Sequence, residues 1–237
     1  MNALIVLTIA GGLLLDTHWL TYGQIAASAA AWIMCCGLLA SAGARARHVL
    51  VACLVFATAG EIFLSLVWGL YQYRLANIPL FVPPGHVLLF FLGTQIAARL
   101  PDRSEWWIAL LAFPVVMIFA WQGRDTLGPV LYGLFLACTL LSPSRKLYAT
   151  MFVLSLAMEL YGTWIGNWVW AANVPWLGLT TLNPPLAAGA FYCVLDLLVV
   201  SVAGKMPLAY QPPASPGLKA SVDSIHDATL SACSSSR

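Results

Sequence analysis

Residues 49–84 read VLVACLVFATAGEIFLSLVWGLYQYRLANIPLFVPP. From Val49 to Leu70 the run is apolar except for Thr58, Glu61 and Ser65. A bilayer core about 30 Å thick needs roughly 20 apolar residues in a helix, so this stretch predicts a membrane span. The chain then breaks into an aromatic-x-aromatic pair, Tyr71 and Tyr73, followed by Pro79, Pro83 and Pro84. Residues 147–185 repeat the design: LYATMFVLSLAMELYGTWIGNWVWAANVPWLGLTTLNPP. Glu159 follows Glu61 by 98 positions, Trp168 follows Tyr71 by 97, Asn173 follows Asn77 by 96, and Pro184 follows Pro83 by 101. A carboxylate, an aromatic pair, an Asn-aliphatic-Pro and a Pro-Pro recur in one order, which argues an internal duplication.

The same length ruler, carried along the chain, predicts eight spans at about 2–20, 24–42, 49–70, 83–99, 106–122, 127–142, 147–166 and 186–204. Composition agrees: of 237 residues, 61% are hydrophobic and 8% charged. Soluble domains carry roughly a quarter charged residues. A net charge of +2 leaves no nucleic-acid footprint. Cys35, Cys36, Cys53, Cys138, Cys193 and Cys233 form no CxxC or Cys/His spacing, so neither a disulfide nor a zinc site is expected. No metal or other cofactor is expected. The first segment lacks a basic leader and is interrupted by Asp16, His18 and Trp19, so it is read as a retained span and not a signal peptide. Residues 206–237 are rich in Pro, Ser and Ala and are expected to form a disordered cytoplasmic tail.

Basic residues favour the cytoplasmic side. Arg45, Arg47, Arg99, Arg103, Arg145, Lys146, Lys205, Lys219 and Arg237 fall on one side of this scheme, Arg74 and Arg124 on the other. Both termini are therefore expected in the cytoplasm. The two glutamate segments then run outward in odd-numbered spans. The expected fold is all-α: a polytopic membrane bundle of about eight helices in a parallel four-plus-four repeat, with halves at about 1–100 and 101–205. Inverted repeats would need opposite orientations.

Glu61 and Glu159 each lie about 18 Å from the cytoplasmic end of their spans, at 1.5 Å per residue. A charged carboxylate at that depth is costly, so each should face the bundle interior, paired or protonated. A neutral carboxylic acid is a proton donor suited to general-acid chemistry. Asp196 is a third acid, expected to approach Glu159 across the loop joining the last two spans. His86 follows Pro83-Pro84-Gly85 at a helix start, where it could orient a substrate or accept a proton. With no second histidine near it, a metal site there is not expected. Trp68, Tyr71, Tyr73, Trp164, Trp168 and Trp170 concentrate just beyond the two acids, and aromatic faces stabilise cations. On a helical wheel Trp68 shares the Glu61 face, and Gly162, Gly166 and Trp170 extend the Glu159 face. Asn77, Asn167, Asn173 and Asn183 are expected to position polar groups at the outer mouth.

Glu61…Trp68-Gly-x-Tyr71-x-Tyr73…Val82-Pro83 resembles the Glu…G-x-Y-x-Y…V-P pattern of carotenoid hydratases of the bacterioruberin-pathway type. Trp168-x-Trp170…Pro175-Trp-x-Gly178…Asn183 is similar to that family's W-x-W…G-x-P-x-N pattern, with the glycine and proline in exchanged order. Small multi-span terpene cyclases, compact helical bundles with buried acids, are a related comparison. The resemblance implies a membrane enzyme in which Glu61 and either Glu159 or Asp196 protonate a polyene or epoxide. From the residues themselves three readings stand. One is an enzyme acting on a membrane lipid or isoprenoid by hydration, cyclisation or isomerisation. The others are a small proton-coupled transporter and a non-catalytic accessory subunit.

Overall fold

The structure is a computed structural model and describes residues 1–203. The segment expected to form a disordered tail lies outside the described residues. Eight α-helices make up most of the fold: α1 (Asn2–His18), α2 (Leu20–Ser41), α3 (Ala44–Glu61), α4 (Val82–Ala97), α5 (Ser104–Trp121), α6 (Gly128–Leu141), α7 (Arg145–Ile165) and α8 (Gly189–Ala203). Each predicted span falls on one helix. Three stretches, Tyr22–Ser41, Ala44–Val67 and Ser104–Trp121, are long and apolar enough to cross a membrane. The apolar α1, α4, α6 and α8 are shorter, and α7 carries Arg145, Lys146 and Glu159. Large apolar side chains such as Leu7, Ile33, Leu66, Leu111 and Trp121 point outward. With the three long apolar helices, such outward-facing apolar side chains fit a membrane protein.

Two features depart from the all-α expectation. First, α3 does not continue as an α-helix through its predicted length. At Ile62 it widens into a π-helical segment, Ile62–Val67, so Glu61 stands at the junction. Single π turns of this kind recur at functional sites. Second, the two aromatic-x-aromatic motifs are not helical. They form strands β1 (Tyr71–Tyr73) and β2 (Trp168–Trp170), paired antiparallel with Tyr71 opposite Trp170, Gln72 opposite Val169 and Tyr73 opposite Trp168. The reason is in the spacing: residues two apart share a face on a strand and not on a helix. In both strands the aromatic residues are buried and the middle residue is exposed.

Each strand is entered through a glycine in the left-handed region, Gly69 (φ 74°) before β1 and Gly166 (φ 84°) at the end of α7. Glycine takes that conformation without a Cβ penalty, which lets the helix stop and the chain turn at once. Both glycines stand two residues before the first aromatic.

A clamp holds the ribbon to α1. Asp16 is buried, accepts a bond from Asn167 Nδ2 at 2.8 Å, and pairs with Arg74 at 3.1 Å. The Asn167 side chain also donates to the Leu13 carbonyl at 3.1 Å, and the Arg74 N–H donates to the Asn167 carbonyl at 2.8 Å. Asp16, which in the sequence looked like an interruption of the first span, is thus a tie between α1 and the residues flanking both strands. Helix α8 packs against α3, α6 and α7. Its contact with α7 depends on Gly189, where a Cβ would stand 2.7 Å from the Phe152 Cα.

Candidate functional site

The ribbon lays four aromatic side chains on one buried face, and their polar tips converge on the two glutamates. Tyr71 and Tyr73 donate their hydroxyls to Glu61 Oε2 at 2.8 and 2.7 Å. Trp168 and Trp170 donate their indole N–H groups to Glu159 Oε2 at 2.7 and 3.0 Å. Each of the two similar motifs therefore supplies an acid from a helix and two donors from its own strand, nine to twelve residues further along the chain. Hydrogen bonds to a charged group contribute about 1.5–3 kcal/mol each, so four of them hold the acids in fixed orientations. The rings brace each other across the ribbon: Tyr71 and Trp170 lie 4.9 Å apart by centroid, Tyr73 and Trp168 5.9 Å.

The second oxygen of each acid faces another group. Glu61 Oε1 lies 3.5 Å from His86 Nε2. His86 Nδ1 is 3.0 Å from the Val82 carbonyl one turn back on α4. A carbonyl only accepts, so the Nδ1 proton is committed there and Nε2 is the nitrogen available to Glu61. Glu159 Oε1 accepts from the Tyr192 hydroxyl at 3.3 Å. His86 and Tyr192 stack with a 4.9 Å centroid separation and 5° between planes. The acids are thus joined through α4 and α8 as well as through the ribbon.

The partners differ chemically. An indole N–H can only donate, so Glu159 Oε2 is always an acceptor. A phenol hydroxyl can donate or accept, and the imidazole nitrogen facing Glu61 can do either. Each acid thus has one oxygen, Oε1, facing a group that can both donate and accept, His86 Nε2 for Glu61 and the Tyr192 hydroxyl for Glu159, and the two differ at Oε2, where only Glu159 has partners that can do nothing but donate.

Two apolar clefts open on this centre. One, a narrow cavity of about 50 Å³, runs between α1, α2, α4 and α7. The other, about 370 Å³, runs between α3, its π segment, α6 and α8. Glu61 and Glu159 line both. The second has the size usual for a small-molecule site, a few hundred Å³ with a few convergent polar groups, and the first is a narrower apolar extension from the same centre.

No family model, curated protein or solved structure matches the chain. The placement of the expected site residues is read from this geometry alone. Glu61, Glu159, His86, Trp68, Tyr71, Tyr73, Trp168 and Trp170 gather at the centre or its clefts. Asp196 does not join them. It is fully buried on α8, lines neither cleft, and neither of its oxygens has a hydrogen-bond partner among the described residues. Trp164 points outward, 81% exposed, because it falls on the opposite side of α7 from Glu159 and packs on Tyr161. The three exposed asparagines also lie outside the clefts. Asn77 bonds Gln24, Asn173 pairs with Thr180 in an isolated bridge, and Asn183 accepts from the Trp170 backbone N–H. They order the loops around the ribbon.

Tyr192 was missed as a direct partner of Glu159. Its nearest acid along α8 is Asp196, one turn on, so position in the chain does not point to Glu159. The local trace of the arrangement is the two-residue spacing of each aromatic pair, a single repeat, which puts both rings of a pair on one face once the segment is a strand.

Proposed function

We propose that this chain is an integral membrane enzyme acting on a lipid-soluble isoprenoid or related lipid by general-acid chemistry, with Glu61 as proton donor and Glu159 as the stabilising carboxylate and base. One observation carries the reading: each carboxylate has one oxygen fixed by two aromatic donors while both acids line apolar clefts. Fixed charges in a water-poor cavity act far more strongly than in water. In the proposed step the π electrons of an alkene take the Glu61 proton, forming a C–H bond at one carbon and a cation at the other. The Glu159 carboxylate and the surrounding aromatic faces stabilise that cation. It collapses by losing another proton to Glu159, which gives isomerisation or cyclisation. Alternatively it adds a water whose extra proton goes to Glu159, which gives hydration. The cycle closes when the proton taken by Glu159 is returned to Glu61, and His86 Nε2, 3.5 Å from Glu61 Oε1, is the group placed to receive it and pass it on. The resemblance to carotenoid hydratases favours the hydration outcome.

The same proposal takes all eight helices as spans, with both termini cytoplasmic and the halves 1–100 and 101–205 related by a twofold axis along the membrane normal. Its supports are the equivalent glycines, Gly69 and Gly166, and the antiparallel ribbon. Two strands related by a twofold axis through their sheet run antiparallel and present the same face.

Membrane lipid extracts from cells with and without the protein, compared by mass spectrometry, test the function. An isoprenoid changed by one water, or an isomer with a new ring or shifted double bond, is expected. Glu61→Gln and Glu159→Gln should each lower its formation by about 100-fold or more while the protein remains in the membrane. A carrier or an accessory subunit leaves the lipids chemically unchanged. Full activity in both variants removes the acid mechanism.

A further inference from the structure

Two clefts, built by different helices, end on one acid centre. They share only Glu61, Tyr71, His86, Glu159 and Tyr192. Beyond these five, no residue lining either cleft carries a charge. A group handled by the carboxylates therefore sits where the clefts meet, and the rest of the molecule has apolar space in two directions. A ligand reacting at its chain end would need one such space.

We propose that the clefts are two arms of a single binding site, and that its ligand is one elongated apolar molecule whose reacting group is internal, with an apolar arm in each cleft. This rests on the reading of Glu61 and Glu159 as the reacting centre and adds the shape of the substrate. The shared polar wall is the reason: both acids face both clefts, so neither cleft has an acid of its own.

Two glycines make the test clean. Gly85 lines the first cleft and Gly60 the second, and a Cβ at either meets nothing within 4 Å. A leucine Cβ at either lining position meets open space and no backbone, so the added side chain narrows the cleft it lines, and in a helix leucine is a better former than glycine. Gly133 is equally unobstructed, is exposed on α6 and lines neither cleft, so Gly133→Leu is the control.

The probes are retinyl palmitate, which has an apolar arm on each side of an ester, and retinol, which has one arm. Binding to the purified full-length protein in detergent is read by energy transfer from tryptophan. Trp168 lines the first cleft, and Trp68 and Trp170 the second. Gly60→Leu and Gly85→Leu should each weaken retinyl palmitate by about tenfold or more. One of the two should weaken retinol, and Gly133→Leu neither probe. Retinyl palmitate affinity unchanged in either cleft variant, or no binding by the unsubstituted protein, overturns the proposal. The readout is binding and not turnover. If lipid chemistry is absent but both variants lose retinyl palmitate, the acid mechanism falls and the two-armed site stands.

Discussion

A buried carboxylate is tolerated only if its polar oxygens are answered, and here aromatic tips answer them. Glu61 Oε2 takes two phenol hydroxyls and Glu159 Oε2 two indole N–H groups, all at 2.7–3.0 Å. Tyr73→Phe and Trp170→Phe keep an aromatic ring and delete one donor. Each should lower turnover roughly 10- to 100-fold, the equivalent of a charged hydrogen bond. Protein recovered in the membrane fraction should hardly change; if turnover also stays the same, the donors do not hold the acids for chemistry. At this scale the sequence was informative about which residue types matter. Buried acids are rare enough to announce themselves, and the aromatic pairs recur behind both. It was silent on Asp196: a carboxylate on α8 has the same one-dimensional signature whether it enters the cleft or, as here, turns away from it.

At the scale of elements, close approach is secured by glycine. A Cβ on Gly162 would overlap the ring of Trp168, and one on Gly189 would press on the Phe152 backbone. Gly189→Ala should therefore destabilise the protein by about 1–3 kcal/mol, seen as a lower midpoint of thermal unfolding in detergent. Gly162→Ala should instead push Trp168 off Glu159, impairing turnover more than stability. Equal thermal midpoints for Gly189→Ala and the unsubstituted protein would mean that α7 and α8 are not packed this tightly. The helices were legible because an apolar run of helical length is a local property. The ribbon was not, because its strands have three residues each, too few to alternate visibly, and their partners lie 95 to 99 positions apart. The π segment has no compositional mark at all, since Ile62–Val67 is as apolar as the helix before it.

For the whole molecule, the proposed eight-span scheme would put nine basic residues on one side and two on the other, which predicts its orientation. A reporter active only outside the cytoplasm, fused to the C-terminus, should give no signal. A strong signal would defeat the scheme of eight spans with both ends inside. Arg74, one of the two basic residues on the sparse side, is paired with Asp16, so it helps hold the ribbon in place. What the sequence by itself determined are properties set within windows of about twenty residues: the apolar composition, eight helical segments, two acids within them and the similar motif behind each. Tertiary structure alone decided that the two motifs meet as strands, that Tyr192 and not Asp196 reaches Glu159, that Trp164 and the three exposed asparagines stay outside the clefts, and that two clefts share one polar wall. These depend on where α4, α7 and α8 cross. Crossing geometry comes from the packing of surfaces distant in the chain, which no local pattern of residues encodes.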